Sequence, residues 1–324
     1  MSLYLCCDCG GSKTSAVICD ASGEIVGRAP GGPSNFAYHS LEVVIAAIRT
    51  AVTDALNGPS VDPVSLPVSP SPFAAAWFGI SGIDSPAAVD AISPALSTLL
   101  GIPLGPRLMV ANDTHLLAAP IRMHPDMSYA VTVISGTGSN VVTFRETAEG
   151  QLEELGRIGG WGWILGDEGG GFHVGRETVR RLLTEHDSAE STLKQRVLEL
   201  FGVKGVLDLL TEIHVPPVAS PDTAAHRLMP REKRLSSLAP LVFNILASQI
   251  AVLLGERSGA APRLVRAQEA VICFGGSLVG VEGYRNMVLD HLSTRGHTFA
   301  HVEFVDDAAA TGARGLVKGL SLFI

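Results

Sequence analysis

An internal repeat constrains the fold of this chain more than any other feature. Residues 4–19 read YLCCDCGGSKTSAVIC, and residues 129–144 read YAVTVISGTGSNVVTF. Both segments consist of an apolar strand, a glycine turn and a second apolar strand, which is the pattern of a β-hairpin. Because the copies stand one domain length apart, we predict two related domains whose glycine turns face each other across a cleft. A chance similarity of two common hairpins is the alternative.

The composition supports two folded domains and argues against a nucleic acid partner. The chain has 324 residues, of which 46% are hydrophobic and 17% are charged, so it has enough apolar material for two cores. Lysine and arginine number 24 against 32 acidic residues and are scattered, so no cationic stripe can neutralise a nucleic acid backbone. An anionic nucleotide would have to be held by backbone amides, helix N-termini and Mg²⁺.

No segment predicts a signal peptide or a membrane span. Residues 1–10 lack the basic start and the long apolar stretch of a signal peptide. The longest apolar run, residues 238–254, is interrupted by Pro240, Asn244, Ser248 and Gln249. We interpret this run as a buried core helix, because a span needs ~20 predominantly apolar residues. We therefore expect a cytoplasmic protein without a membrane partner.

The five cysteines predict packing rather than a disulfide framework or a metal site. Cys6, Cys7 and Cys9 are crowded into four positions, and Cys19 and Cys273 complete an odd total. This crowding excludes a disulfide framework, and no matching Cys or His pair follows at zinc spacing. We interpret all five as reduced thiols inside the protein.

Strands alternate with helices along the chain, which predicts an α/β fold. The predicted strands span residues 3–7, 14–20, 25–28, 74–80, 108–111 and 270–274. The predicted helices span residues 41–56, 86–100, 114–122 and 308–320, with Ser40, Ser85 and Asp113 as caps of the first three. Residues 57–72 hold five prolines and four serines and predict a surface loop. We place the N-terminal domain at residues 1–122 plus a C-terminal helix at 308–324, and the larger C-terminal domain at 123–307.

The first glycine turn has the composition of a phosphate site. Asp8 ends a strand, Gly10 and Gly11 let backbone amides approach an anion, and Ser12 and Lys13 add a hydroxyl and an ammonium group. Asp8 is the candidate Mg²⁺ ligand, through water because Mg²⁺ dehydrates reluctantly. Taken alone, the motif is equally well explained by an ordinary glycine hairpin.

Two further glycine turns are candidates for binding the rest of a nucleotide. Thr137, Gly138 and Ser139 form a hydroxyl-rich turn without an acid, which suits it to accept phosphate. Gly275 and Gly276 stand where a buried strand turns into a helix, which leaves room for a ring or a ribose beside the backbone. A plain strand-to-helix turn is the alternative for this pair.

Four segments carry a resemblance to a known superfamily. They are Asn35, residues 111–113 (AND), residues 134–140 (ISGTGSN) and residues 159–169 (GGWGWILGDEG). In this order, and with the repeated hairpin, they resemble the acetate and sugar kinase/heat-shock/actin superfamily. Within it they resemble the BadF/BadG/BcrA/BcrD-type ATPases, and most closely the eukaryotic N-acetylglucosamine kinases. The resemblance runs from residue 4 to residue 315 and implies two actin-like (ribonuclease H-like) ATPase domains with an interdomain cleft.

The resemblance also implies a role for each matching residue. Asp113 would be the base that receives the sugar hydroxyl proton, and it would contact the sugar together with Asn35, Gly160, Trp161 and Asp167. The residues expected to contact ATP are Ser12, Thr137, Ser139, Gly275 and Gly276. The position of Asp113 agrees with its role, because a carboxylate just after a buried strand can project into a cleft.

The implied activity is transfer of the γ-phosphoryl group of ATP, with Mg²⁺, to the 6-hydroxyl of N-acetylglucosamine, which yields N-acetylglucosamine 6-phosphate. A homodimer is also implied. The identity of the acceptor sugar stays open, since a kinase for glucosamine, N-acetylmuramic acid or N-acetylmannosamine would have the same fold. An ATPase activator without a sugar substrate is a further alternative, although its iron–sulfur cluster needs a cysteine in a helix, where none is evident. A regulator that has lost transfer is disfavoured by the intact Asp8, Asp113 and Asp167.

Three positions depart from the family pattern. Cys9 replaces the first glycine of the acidic turn, Ser12 replaces a threonine, and Gly171 stands where serine is common. Serine keeps the hydroxyl, and Cys9 indicates either that its position needs no positive φ or that the turn is shifted. In the pocket segment we expect Trp161 to pack on an apolar face of the sugar and Trp163 to be a core residue.

Overall fold

The structure is a computed structural model, and it describes residues 2–57, 64–147, 150–184, 192–217, 223–238, 254 and 265–320. The chain divides into two compact units. Unit 1 comprises Met1–Ala130, Arg145–Glu153 and Val305–Ile324, and unit 2 comprises Val131–Phe144 and Glu154–Phe304. Within the described residues, no helix combines the length and the apolar character that a bilayer crossing demands.

The regular elements are numbered in chain order. The strands are β1 (Leu3–Cys9), β2 (Thr14–Cys19), β3 (Ile25–Gly31), β4 (Phe73–Ile80), β5 (Leu108–Ala111), β6 (Tyr129–Ser135), β7 (Ser139–Glu146), β8 (Leu152–Gly159), β9 (Ala270–Gly275) and β10 (His301–Phe304). The helices are α1 (Leu41–Leu56), α2 (Pro86–Leu100), α3 (Thr114–Leu117), α4 (Gly171–Thr184), α5 (Thr192–Phe201), α6 (Asp208–His214), α7 (Arg231–Ser236), α8 (Glu282–Thr294) and α9 (Ala308–Leu320).

The sheet of unit 1 has the strand order β3-β2-β1-β4-β5. The first three strands form the predicted antiparallel meander, and β4 and β5 are added in parallel to β1. The carboxyl ends of β1, β4 and β5 therefore lie at one edge of the sheet. This edge is where a parallel α/β sheet places its ligands.

Helices cover both faces of this sheet. Val44 and Ile48 of α1 and Leu96 of α2 are buried in one core cluster with Phe78 of β4. On the opposite face α9 packs against β1 and β2, because its small residues allow close approach. Gly312 is an example, since a Cβ atom there would meet the sulfur of Cys6.

The second sheet has the order β10-β9-β6-β7-β8, so β6, like β1, is the central strand of five. In both β1 and β6 only the first and sixth residues are half-buried while the others are buried. The predicted duplication of the hairpin and the α/β class are thereby confirmed. The helices α4 to α7 of unit 2 form their own cluster, with a core that includes Phe172, Leu182, Phe201, Leu209 and Leu235.

Local patterns located most elements correctly. The predicted bounds of α1, α2 and β5 are confirmed, and the final helix ends at Leu320 as predicted. The helix predicted over residues 114–122 is wrong: α3 ends at Leu117 and a 3₁₀ turn, Ala119–Met123, follows. Pro120 is the physical reason, since it has no N–H to continue an α-helix. The predicted core helix at 238–254, apart from Leu238 and Leu254, and loop residues 58–63 lie outside the described residues.

A buried arginine organises the helical cluster of unit 2. The Arg234 guanidinium has no exposed surface and donates hydrogen bonds of 2.6–3.1 Å to the backbone carbonyls of Met229, Glu212, Val215 and Arg227. These bonds join α6, α7 and the segment between them. Buried carbonyl groups at the ends of segments need hydrogen-bond donors, and here the Arg234 side chain satisfies four of them at once.

Glu212 of α6 is the acidic member of the same cluster. Its carboxylate accepts hydrogen bonds from Arg227 Nε at 2.7 Å and from His226 Nε2 at 2.8 Å, and its side chain is only 10% exposed. The hydrogen bonds from Arg227, followed by that from His226, lower the pKa of Glu212 to about 2, against the opposing effect of burial.

We expect Glu212→Gln to remove a pH-dependent part of the stability of unit 2. The unfolded chain has a glutamate pKa of about 4.3, so the lowered pKa stabilises the folded state above that pH and the stabilisation is lost as the pH falls towards 2. The stability difference between wild type and variant, on the order of 1–3 kcal/mol at neutral pH, should shrink from about pH 5 to about pH 3. Hydrogen exchange of the α6 and α7 backbone amides measures this stability difference. Glu199→Gln, at an exposed position, is the control. A difference that does not change with pH would contradict the assignment.

Candidate functional site

The first glycine turn connects β1 to β2 and is exposed at its tip. The Gly10 N–H donates to the Lys13 carbonyl at 2.9 Å, and Gly11, Ser12 and Lys13 are exposed. A Cβ atom at Gly11 would have no neighbouring atom within 4 Å. The protein's own packing therefore does not demand glycine at this position, and the open backbone leaves room for an anion to approach the amides.

Cys9 is the last residue of β1 rather than a part of the turn. It pairs with Thr14 of β2 and with Ile80 of β4, and its side chain is completely buried. As a strand residue it has an extended backbone, so a side chain causes no strain there. The other four cysteines are also buried, each within a strand, which confirms that all five are packing residues.

Two carboxylates from distant parts of the sequence come together at the carboxyl edge of the unit 1 sheet. Asp8 of β1 is paired with Gly79 of β4, and a Cβ atom on Gly79 would lie 3.2 Å from the Cα atom of Asp113. Burial, and after it the charge of Asp113, raise the pKa of Asp8 to about 6, although the charge of Lys13 opposes the shift. The site therefore concentrates negative charge that a cation would relieve.

Asn112, and not Asp113, caps α3. Asn112 Oδ1 accepts from the Thr114 N–H at 3.1 Å, and Asn112 Nδ2 donates to Asp84 Oδ1 at 3.1 Å. Asp113 precedes the helix but its side chain makes no capping hydrogen bond, so the predicted cap is wrong. The reason is that the backbone of Asp113 is already helical, at φ −58° and ψ −26°, whereas a capping residue is usually extended. The Asp113 carboxylate is thus not used for capping.

Asn35 lies in the loop after β3 and is held from two sides. Its Nδ2 donates to Ser81 Oγ at 3.2 Å, and its Oδ1 accepts from the Ala37 N–H at 2.8 Å. The backbone N–H of Ser81 donates to the Cys9 carbonyl at 2.9 Å. Asn35 is thereby tied to the end of the strand that carries Asp8.

The second glycine turn, between β6 and β7, rests on α4. The carbonyls of Gly136 and Thr137 accept hydrogen bonds of 2.8 and 2.9 Å from the N–H groups of Gly171 and Phe172. Thr137 is exposed at the tip of the turn. The glycine at 171, where the family commonly has serine, is needed here because a Cβ atom would lie 2.9 Å from the Gly136 carbonyl oxygen.

Ser139 occupies a different environment from Thr137. It is buried, and its hydroxyl donates to the Glu168 carbonyl at 2.7 Å. The predicted phosphate contact of Ser139 stays a prediction, and in this structure its hydroxyl supports the pocket segment instead.

Asp167 connects the second glycine turn to the pocket segment, residues 159–169. Its Oδ1 accepts from the N–H groups of Gly160 at 2.9 Å and of Trp161 at 3.1 Å. Asp167 has a positive φ of 63°, which no other non-glycine residue of the described ranges shares. A Cβ atom on Gly138 would overlap the Asp167 carboxylate, so glycine is required at 138. A strained residue that fixes two backbone amides is typical of a binding site.

The two tryptophans of the pocket segment are both exposed. Trp161 is 63% exposed and Trp163 is 46% exposed, although the Trp163 ring lies 5.0 Å from that of Phe172. The prediction that Trp163 is a core residue is wrong, because positive-φ glycines on both sides of Trp161 turn the segment out from the unit. Ile164 and Leu165 are exposed as well, so the segment offers apolar surface to a ligand.

The third glycine turn follows β9 and is linked to the pocket segment. Gly275 is buried at the end of β9, and Gly276 has φ +103° and lies against the backbone of Ser135. Tyr284 Oη of α8 donates to the Gly169 carbonyl at 3.2 Å, and Ser135 Oγ donates to the same carbonyl at 3.2 Å. Burial raises the pKa of Tyr284 to about 12, which keeps its hydroxyl a donor.

Sequence reasoning missed Ser81 and Tyr284, which hold the site in place, and it named Asn112 only as part of the segment at residues 111–113, without its capping role. Ser81 directly follows the buried strand β4 and precedes Gly82, which was a usable signal. Tyr284 had none, because its partner Gly169 is 115 positions away.

The residues of the first turn fit a magnesium ion and a phosphate group. Asp8 provides a carboxylate, the ligand type that Mg²⁺ prefers, and a cation would counter the burial and the Asp113 charge that raise the pKa of Asp8. The open amides of Gly10 and Gly11 and the exposed Lys13 provide donors for phosphate oxygens.

Each of the two α/β units has one copy of the hairpin in the middle of a five-stranded sheet. Two such units form an actin-like ATPase fold. The chain belongs to the BadF/BadG/BcrA/BcrD ATPase family, whose sequence profile matches residues 5–297.

Two curated relatives are sugar kinases. The chain is 27% identical over 225 residues to the N-acetylmuramic acid/N-acetylglucosamine kinase of Clostridium acetobutylicum, in a match that covers 67% of this chain and 66% of that protein. It is 26% identical over 258 residues to the N-acetyl-D-glucosamine kinase of Dictyostelium discoideum, covering 74% of this chain and 70% of that protein.

Solved structures share the fold. A Porphyromonas gingivalis protein solved as a candidate N-acetylglucosamine kinase has a TM-score of 0.59 at 21% identity, and the match covers 99% of this chain and 98% of that one. The ROK hexokinase of Thermus thermophilus has a TM-score of 0.50 at 17% identity and covers 99% of both chains. At these identities the similarity establishes the fold alone.

Proposed function

We propose that this protein is an amino sugar kinase that transfers the γ-phosphoryl group of ATP to the 6-hydroxyl of N-acetylglucosamine. The observation that carries the proposal is the approach of Asp8 and Asp113 beside an open glycine turn. N-acetylglucosamine occurs in the names of both curated relatives, which supports this acceptor. A cytoplasmic homodimer is part of the same proposal.

In unit 1, Asp113 accepts the proton of the sugar hydroxyl as the bond from the sugar oxygen to the γ-phosphorus forms. The bond from that phosphorus to the β–γ bridging oxygen breaks, and ADP leaves with the electron pair. Phosphoryl transfer depends mainly on alignment and charge stabilisation, so Asp113 needs only modest basicity. Mg²⁺, held by Asp8 through water, would neutralise phosphate charge. Asn35 hydrogen-bonds a sugar hydroxyl, and its bond to Ser81 orients it for that contact.

The remaining ligand contacts belong to unit 2. We assign phosphate binding to Thr137, Gly138 and Ser139, sugar binding to Gly160, Trp161 and Asp167, and nucleoside binding to Gly275 and Gly276. Asp167 already holds the amides of Gly160 and Trp161 in one orientation, which reduces the entropy lost on binding. The exposed Trp161 ring offers its face to the apolar side of a sugar.

A substrate panel tests the proposal. We expect Mg·ATP turnover with N-acetylglucosamine at a kcat/KM at least tenfold above glucosamine, N-acetylmannosamine and N-acetylmuramic acid, with ADP release as the readout. The 6-deoxy analogue of N-acetylglucosamine should bind without turnover, which identifies the 6-hydroxyl as the acceptor.

Two other results of the substrate panel would each refute one part of the proposal. Faster turnover of another amino sugar would refute the acceptor and leave the kinase assignment standing. ATP hydrolysis that no sugar stimulates would refute the kinase assignment and favour an ATPase without a sugar substrate.

A further inference from the structure

Two buried hydroxyl groups lie between the first glycine turn and the loop that carries Asn35. Thr14 is the first residue of β2, directly after the turn, and Ser34 stands immediately before Asn35. Neither Thr14 nor Ser34 has any exposed surface, and their hydroxyl oxygens are 2.6 Å apart. A hydrogen bond between two buried hydroxyls is costly to break, because neither group can bond to water instead. The proposed function assigns no role to either residue.

The direction of this hydrogen bond follows from the number of hydrogens. The Thr14 hydroxyl donates its only hydrogen to the Gly32 carbonyl at 2.8 Å, since a carbonyl can only accept. Ser34 Oγ must therefore donate to Thr14 Oγ1. Both hydroxyls are thereby fixed in orientation, and the start of β2 is tied to the segment that follows β3.

The backbone of Ser34 connects the same residue to the phosphate turn. Its N–H donates to the Gly10 carbonyl at 3.0 Å, and the Gly10 N–H in turn donates to the Lys13 carbonyl at 2.9 Å. Ser34 is thus bonded to the turn through its backbone and to the start of β2 through its side chain. Because Asn35 is the next residue, a displacement of Ser34 would move Asn35 relative to the turn.

The side chain of Asn35 is held separately from its backbone. Asn35 Oδ1 accepts from the Ala37 N–H at 2.8 Å, and Asn35 Nδ2 donates to Ser81 Oγ at 3.2 Å. These two contacts orient the amide group, whereas Ser34 fixes the backbone from which that group projects. The amide group can keep both contacts only while its backbone stays in place.

We propose that Thr14 and Ser34 are positioning residues that hold Asn35 beside the phosphate turn, in the place where it contacts the sugar. This inference rests on the sugar contact of Asn35 in the proposed function. Neither hydroxyl touches a substrate, because both residues are completely buried. Their contribution is preorganisation: Asn35 is in place before the sugar arrives, so less conformational entropy is lost on binding.

Thr14→Val tests the proposal, because valine keeps the shape of threonine but neither accepts from Ser34 nor donates to Gly32. We expect the KM for N-acetylglucosamine to rise about tenfold, with kcat lowered by less than about threefold and the KM for ATP within about threefold. Ser34→Ala removes one of the two bonds and should raise the sugar KM less. Thr14→Ser keeps the hydroxyl and should leave the sugar KM within about threefold of wild type.

Thr132→Val is the matched control for these kinetics. Thr132 is a completely buried residue of β6 in unit 2, and its hydroxyl also donates to a backbone carbonyl, that of Val142 at 3.2 Å. The same substitution there removes a buried hydroxyl without touching the Asn35 loop. The sugar KM of this variant should stay within about twofold of wild type.

An NMR measurement on the ligand-free protein tests the positioning itself. Because the Ala37 N–H donates to Asn35 Oδ1, its amide proton resonance reports the place of the Asn35 side chain. In Thr14→Val and in Ser34→Ala this resonance should move upfield, towards its position in Asn35→Ala, where the acceptor is missing. In Thr14→Ser and in the Thr132→Val control it should stay at its wild-type position.

The kinetic and NMR measurements can fail independently. A wild-type sugar KM in a folded Thr14→Val protein would overturn the proposal, as would equal losses in Thr14→Ser and Thr14→Val. An unchanged Ala37 resonance in both Thr14→Val and Ser34→Ala would overturn it as well. If Thr14→Val does not fold, Ser34→Ala decides by the same two readouts. If the wild type phosphorylates no sugar, the proposed function fails, and the Ala37 resonance still decides whether the hydroxyl pair positions Asn35.

Discussion

Asp113→Asn should lower kcat for phosphoryl transfer about 10²- to 10⁴-fold while sugar binding is nearly retained. Asparagine keeps the shape of the side chain and its capacity to hydrogen-bond, but it cannot accept the proton of the acceptor hydroxyl. Steady-state kinetics and sugar titration calorimetry measure the two effects separately. The exposed Asp90→Asn on α2 is the matched control and should leave kcat within twofold. Unchanged turnover in Asp113→Asn would remove this residue from the base role.

The same substitution has a readout that does not require catalysis. The negative charge of Asp113 is one cause of the raised pKa of Asp8, after burial. Asp113→Asn should therefore lower the pKa of Asp8 from about 6 towards the ordinary aspartate value, without reaching it because burial remains. Carboxyl ¹³C titration of the ligand-free protein measures this shift. An unchanged Asp8 pKa would show that the two side chains do not interact.

Arg234→Met should destabilise unit 2 by about 2–5 kcal/mol. Methionine fills part of the same volume but donates no hydrogen bonds, so four backbone carbonyls that Arg234 now satisfies would lose their donor. The loss should appear as faster amide hydrogen exchange in α6 and α7. Lys233→Met is the matched control, because Lys233 is the exposed neighbour in the same helix and its replacement should change exchange little. Equal effects of the two substitutions would show that the carbonyl contacts of Arg234 contribute nothing.

Prediction from sequence succeeded where the determining interactions are local. The helices α1 and α2 begin and end as predicted, because apolar spacing and flanking residues such as Ser85 act within a few positions. The Ser85 hydroxyl indeed accepts from the Ala88 N–H at 3.3 Å. Prediction failed at Trp163, because its apolar character does not reveal that neighbouring glycines turn the chain outward.

Within the site, the structural roles of Cys9 and Asp113 could not be predicted from the neighbouring sequence either. Whether Cys9 belongs to the strand or to the turn depends on its pairing with Thr14 and Ile80, and only the second of these partners is distant in sequence. Asn112 and Asp113 are both good capping residues, and the choice between them depends on where β5 ends against β4.

By itself the sequence determined that a strand–turn–strand unit occurs twice in an α/β protein, because alternation of apolar residues and glycine turns are local properties. Only the tertiary structure decided that Asp8 meets Asp113, that Asn112 rather than Asp113 caps α3, and that Tyr284 supports Gly169. These contacts depend on parallel pairing of β1, β4 and β5 and on packing across long stretches of chain. The order of parallel strands follows from global packing of the core, which no short segment encodes.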